Sequence, residues 1–188
     1  MIAPRQVLTA VEFEVLWACL GLGPTPVTLR LASPGRTDVA LPPGWDALRA
    51  RGLAGPGGPD PELARLLHLL AAPPALLELR GDWGRPVRAI AAGGGDAGVL
   101  ALRQDATVVL APCAGLATAI TGMLPRAGAA RGRARIAGLV AGAAGVLHRL
   151  PGGLTIDDGP GGRMLVCEGT RTPVDAGTLR RLLAALLS

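Results

Sequence analysis

The chain has 188 residues, 49% of them hydrophobic, enough to bury the core of one compact domain. All 19 of its basic residues are arginine, giving a formal charge of +5, and the absence of lysine excludes Schiff-base chemistry and a P-loop lysine. Aromatic residues make up 2%, with no tyrosine, so the stacking platforms of single-stranded nucleic-acid binders are nearly missing.

Taken in order, the first strong signal is a helix start. Thr9 with Glu12 three residues on forms a capping box, and Leu8 and Phe13 stand where a hydrophobic staple closes over it. Phe13, Leu16, Trp17 and Leu20 then make one apolar stripe, and Gly21 and Gly23 end the helix. After Pro24 and Pro26 the period changes to two, which predicts a strand over Val27 to Leu31, with Val27, Leu29 and Leu31 facing inward, before Ser33-Pro34-Gly35 turns the chain. Glu12 and Glu14 interrupt the only apolar stretch that could act as a signal peptide. The longest uncharged apolar run elsewhere, Ile136 to Leu147, is short of the roughly 20 residues that cross a bilayer, so a cytosolic protein is expected.

A short helix is expected between Pro42 and Leu53, with Trp45 and Leu48 inward, followed by a Gly/Pro run from Gly55 to Pro59. Asp60-Pro61 restarts a helix, with Leu63, Leu66, Leu67 and Leu70 as its stripe and His68 beside it. From Ala75 to Leu110 the pattern predicts four strands joined by hairpin-sized turns, hence an antiparallel meander. A formal G-x-G-x-x-G at Gly93, Gly95 and Gly98 is read as a turn, because the residues after it, GVLALRQDATVVL, are strand-like and no acid for a ribose stands about 20 residues on.

A helix is expected within Pro112 to Pro125, a basic loop over Arg126, Arg131, Arg133 and Arg135, and a further helix through Ile136 to Leu150. Leu154-Thr155-Ile156 and Arg163 to Cys167 read as a hairpin with Asp157 and Asp158 in its turn. Val174, Asp175 and Leu179 start a C-terminal helix. LARLLHLL and LRRLLAAL, in the two leucine-rich helices, form the only repeat.

Cys19, Cys113 and Cys167 lack metal or redox spacing and read as reduced, mostly buried thiols; no metal or cofactor is expected. Two function classes stay open. One is a protein-binding module and the other a Cys-dependent enzyme pairing Cys113 or Cys167 with His68 or His148; an Arg-rich surface for an anion or nucleic acid is a third case. For the binding module, the candidate contact residues are Asp82, Trp83, Arg85 and Arg88 on the first meander turn, because Trp and Arg are enriched at interface hot spots. Trp83 stands among glycines, and either presents its ring to a partner or folds back over one end of the sheet.

The order of motifs resembles a known family. An F-E-V-L-W helix runs into L-G-L-G, then P-x-x-L-R and S-P-G-R-T, as in the opening of the EspG family, the ESX secretion-associated proteins of actinobacterial type VII secretion. The likeness continues through WDALRARGL at Trp45, DPELARLLHLLAAP at Asp60 and GGRMLV at Gly161. It implies an α+β fold with a central, mainly antiparallel sheet flanked by helices. A single domain over 1–188 is expected, with an N-terminal half 1–125 and a C-terminal half 126–188 that departs from the family by being abbreviated. By the same resemblance the protein is a cytoplasmic chaperone or adaptor for helical secretion substrates such as PE–PPE-like pairs, and not an enzyme.

Overall fold

Thr9 sets the direction of the chain, because a strand ends there and a helix begins. The computed structural model describes residues 5–31, 41–142 and 145–187. Strand β1 (Gln6–Thr9), which the sequence does not announce, leads directly into α1 (Ala10–Cys19). The capping box forms as expected: the Thr9 backbone N–H donates to Glu12 Oε2 (2.8 Å), and the Glu12 N–H donates to Thr9 Oγ1 (3.2 Å). Phe13, Leu16 and Trp17 are buried, and the Trp17 indole N–H donates to the Gly23 carbonyl at 2.9 Å.

The strand expected over Val27 to Leu31 is not formed. Val27–Leu29 is a 3-10 turn, closed by the Leu29 N–H on the Pro26 carbonyl (2.9 Å) and the Arg30 N–H on the Val27 carbonyl (3.2 Å). Leu29 and Leu31 are buried as the alternation requires, but Val27 is 62% exposed and Thr28 is buried, its hydroxyl donating to Glu78. The segment crosses over the sheet instead of joining it, so its apolar residues find burial without ladder partners. The Ser33-Pro34-Gly35 turn lies outside the described residues.

Helix α2 (Leu41–Ala50) buries Leu48 and ends at Gly52, whose φ of +69° suits glycine. The Gly/Pro run folds as a small hairpin of β2 (Ala54–Gly55) and β3 (Gly58–Pro59). Asp60 caps α3 (Pro61–Ala71) through the Leu63 N–H at 2.9 Å, and all four expected leucines are buried.

The meander continues the chain as β4 (Ala75–Asp82), β5 (Pro86–Gly94), β6 (Ala97–Gln104) and β7 (Thr107–Cys113), then α4 (Leu116–Gly122). The glycine-rich segment is a hairpin end, with Gly93 at φ +146° and Gly95 at +58°. The helix expected from Ile136 is instead β8 (Gly132–Ala141), which returns through Gly142 and Gly145 into β9 (Leu147–Arg149). Because β8 lies between β4 and β10, it buries Ile136 on one face and Ala137 on the other, and such a two-sided apolar run has no strand period to betray it. Strands β10 (Leu154–Gly159), β11 (Gly162–Cys167) and β12 (Thr170–Pro173) complete the sheet, and α5 (Ala176–Ala185), capped by Asp175, ends the fold.

All pairings are antiparallel, and the ten-stranded sheet runs β1-β7-β6-β5-β4-β8-β10-β11-β12 with β9 beside β8. This is the α+β sheet with flanking helices that the sequence led us to expect. The first core, on one face, holds α1, α3, Leu48 and Leu29 against β4 to β7. The second core, on the opposite face, holds Ile120 and Leu124 with Leu179 and Leu183 of α5 against β4, β5, β8 and β10. Each four-strand run, β4 to β7 and β8 with β10 to β12, is therefore succeeded by a helix on the second face. The leucine repeat does not mark this arrangement, since α3 lies in the first core and α5 in the second. Among the described residues no helix is long and apolar enough to cross a membrane.

Candidate partner-binding surface

The turn between β4 and β5 is built by its own backbone. Gly84 takes φ +79°, its N–H donates to Asp82 Oδ1 (2.9 Å), and the Trp83 N–H donates to the Arg85 carbonyl (3.2 Å). Asp82 and Arg85 are exposed. Trp83 turns back over the second face, where its half-buried indole rests on Gly81 of β4 and Gly132 of β8. A Cβ on either glycine would run into the ring, so these two positions form a floor that only glycine provides.

The indole N–H donates to Asp158 Oδ2 at 3.0 Å. Asp158 in turn receives a two-pronged bond from Arg163, Nε to Oδ1 at 2.8 Å and Nη2 to Oδ2 at 2.7 Å, and Arg163 Nη2 also donates to the Pro125 carbonyl at 2.7 Å. Both side chains are buried, with 1% exposure for Asp158 and 5% for Arg163. Trp83 thereby joins the first meander turn to the β10–β11 hairpin and to the exit of α4. Asp157 and Asp158 are thus strand residues and not turn formers; the turn is Pro160-Gly161. The sequence carried a signal for this pair, since Asp158 and Arg163 flank a Gly-Pro-Gly-Gly segment symmetrically and face each other in register.

Arg88 is half-buried and donates from Nη1 to the Gly81 carbonyl (2.7 Å) and the Val87 carbonyl (2.9 Å). The four candidate residues therefore do not converge on one patch. Register places Asp82 and Arg88 on the first face and Trp83 over the second, with Arg85 at the tip. On the first face, Asp157 receives Arg133 (2.5 and 2.9 Å) and Arg171 (2.9 Å), and the Arg133 guanidinium beside it holds its carboxyl below the ordinary value.

Of the three thiols, Cys19 and Cys167 are exposed, correcting the expectation of mostly buried cysteines: each is the last residue of its element, past the buried positions. Cys113 is half-buried beside Gly98 and Leu116, and burial pushes its thiol up, away from the reactive thiolate. His68 and His148 are exposed, and His68 lies on α3 over the first face while Cys113 lies against the second.

The EspG family model matches residues 9–135. The fold is similar to that of the Mycobacterium tuberculosis type VII secretion system chaperone EspG5, solved in complex with a PE25–PPE41 dimer, with a TM-score of 0.75 and 13% sequence identity. That likeness covers 97% of this chain and 95% of the EspG5 chain, and so extends past the stretch that the family model matches. No curated protein sequence matches the chain. The match from the capping box at Thr9 to Arg135 in β8 spans more than half of the sequence, and by it the chain belongs to the EspG family.

Proposed function

We propose that this protein is a cytoplasmic chaperone or adaptor of type VII (ESX) secretion, which binds a helical export substrate of the PE–PPE kind before delivery and catalyses no reaction. The observation that carries this reading is the family match together with a fold shared from end to end with a chaperone solved on its PE–PPE dimer. Physically, an exported helical pair with an uncovered apolar end is an aggregation hazard, and a rigid sheet that covers that end reversibly removes the hazard without chemistry. The contact surface on this reading starts at the β4–β5 turn, where Asp82 and Arg85 are exposed, with Arg88 beside them and Trp83 fixing the turn in place.

The test is co-expression with each PE–PPE-like pair of the same genome, then size-exclusion chromatography. Co-elution of one pair with the chain is the expected result. Arg85→Ala should weaken that complex while leaving the thermal midpoint in place, since Arg85 is exposed at the turn tip. Failure of every pair to co-elute overturns the reading.

A further inference from the structure

The first face changes character halfway across the sheet. Over β5, β6 and β7 it is covered by α1, α3 and the 3-10 turn, whereas no residue of β10, β11 or β12 belongs to the first core. There Arg133, Arg135 and all of β12 are exposed. Cross-strand register draws a line of arginines over this boundary: Arg103 faces Arg88, Arg88 faces Arg80, and Arg80 faces Arg135. The line runs on through Thr155 and Val166 to Arg171. Neighbouring strands are about 4.8 Å apart, so four guanidinium stems stand side by side. Like charges directly opposite one another weaken a sheet, so folding alone disfavours this row.

The described residues do not neutralise it. Arg103 and Arg88 donate to uncharged carbonyls, those of Arg30 and of Gly81 and Val87. Arg80 and Arg149 share the single carboxylate of Glu78, and Arg133 and Arg171 share that of Asp157. Arg135 has no partner among the described residues. Among the described residues, seven arginines thus meet three carboxylates on this face, counting Asp82, whose Oδ1 is occupied by the turn.

We infer that this face docks an acidic segment of a partner protein, whose Asp and Glu carboxylates complete the arginine line. The inference rests on the reading of the chain as a receiver of protein substrates and names the chemistry of the segment received. A polypeptide suits the face better than a nucleic acid. Met164, Val166 and Pro173 lie on the same face, Asp157 sits in its middle, and none of the four aromatic side chains is there to stack on a base. The face also continues from the β4–β5 turn, where Asp82 stands opposite Arg133.

Fluorescein-labelled deca-glutamate, titrated with the full chain at low salt and monitored by anisotropy, is the direct probe. Binding is expected, with an affinity that falls as salt is raised. Arg135→Glu with Arg171→Glu should weaken it by about tenfold or more, whereas Arg180→Glu with Arg181→Glu, the same charge change on exposed positions of α5, should leave it nearly unchanged. Arg135→Gln with Arg171→Gln, a milder pair on exposed positions, should lower affinity in the same direction. No binding, or equal losses in the two reversals, overturns the inference, and so does a single-stranded oligonucleotide that binds tighter than deca-glutamate with the same Arg135 dependence. A PE–PPE-like pair that co-elutes equally well with the Arg135→Glu, Arg171→Glu protein keeps the chaperone reading and sinks this one.

Discussion

The two runs of strands spread in opposite directions from the antiparallel β4–β8 pair and are each succeeded by a helix, yet they are stabilised differently. The first, β4 to β7, is buried on both faces, with Ala89, Ile90, Ala91 and Ala92 all inaccessible in succession. The second is packed on one face only over β10 to β12 and the Arg133–Arg135 end of β8, and deep in that face it holds the Asp158–Arg163 ion pair in place of apolar side chains. A sheet region sealed on both sides draws its stability from area removed from water, and one left open leans on specific polar ties. The open side is thereby free to carry charge.

The contrast meets its severest test where packing is densest. Trp17→Ala, which empties the first core beside Phe13 (ring centroids 5.3 Å apart), should cost about 3–5 kcal/mol in urea unfolding. A loss below about 1 kcal/mol would place Trp17 outside the core. Arg163→Leu should cost a similar amount, about 3–5 kcal/mol, because it leaves the Asp158 carboxylate buried without its cation. Adding Asp158→Leu to it should recover part of the loss, and failure to recover any would mean that the pair acts through Trp83 or Pro125 and not through charge. If the two runs form one cooperative unit, both variants shift a single transition; two transitions would show that they unfold separately.

A smaller effect belongs to the first turn of α1. Thr9→Ala should cost about 1 kcal/mol by removing the cap. Burial alone would raise the Glu12 carboxyl, but the Thr9 N–H and the Arg51 guanidinium outweigh it and hold that carboxyl below its ordinary 4.5. A carboxyl lowered in the folded state stabilises above the unfolded value and loses that contribution as pH falls through the folded one. The stability difference between the wild type and Glu12→Gln should therefore be constant at neutral pH and shrink below pH 4.5. A difference that grows on acidification would reverse the assignment. Least of all, Arg135→Gln should change stability by under about 0.5 kcal/mol, because the open face contributes charge and not packing.

Legibility tracked the same divide. The first meander could be read because its turns carry their own chemistry, Gly84 and Asp105 at positive φ among them, and because its links are too short for anything but hairpins. Helices α1, α3 and α5 were announced by Thr9, Asp60 and Asp175. β8 was illegible because Ile136 to Ala141, apolar throughout and buried or half-buried on both faces, shows no alternation, and the 3-10 turn was illegible because Leu29 and Leu31 are buried in either conformation. At the candidate surface, the glycines around Trp83 left open whether its ring faces a partner or folds back over the sheet. The decisive glycine, Gly132, is 49 residues away in sequence and comes under the indole only when β8 pairs with β4.

At the other end of the sheet, Arg51 reaches from just beyond α2 to the outer strand, its Nη1 on both oxygens of Glu12 (2.7 Å each) and its Nη2 on the Val7 carbonyl (2.7 Å). The rim of β1 is therefore occupied by a guanidinium that is itself anchored, and a strand arriving there would have to displace it. The opposite rim, β12, is four residues long and ends in Pro173. Edge-to-edge growth is thus opposed at β1 by a charged side chain and left elsewhere to the short strands β9 and β12, which are poor templates for strand addition.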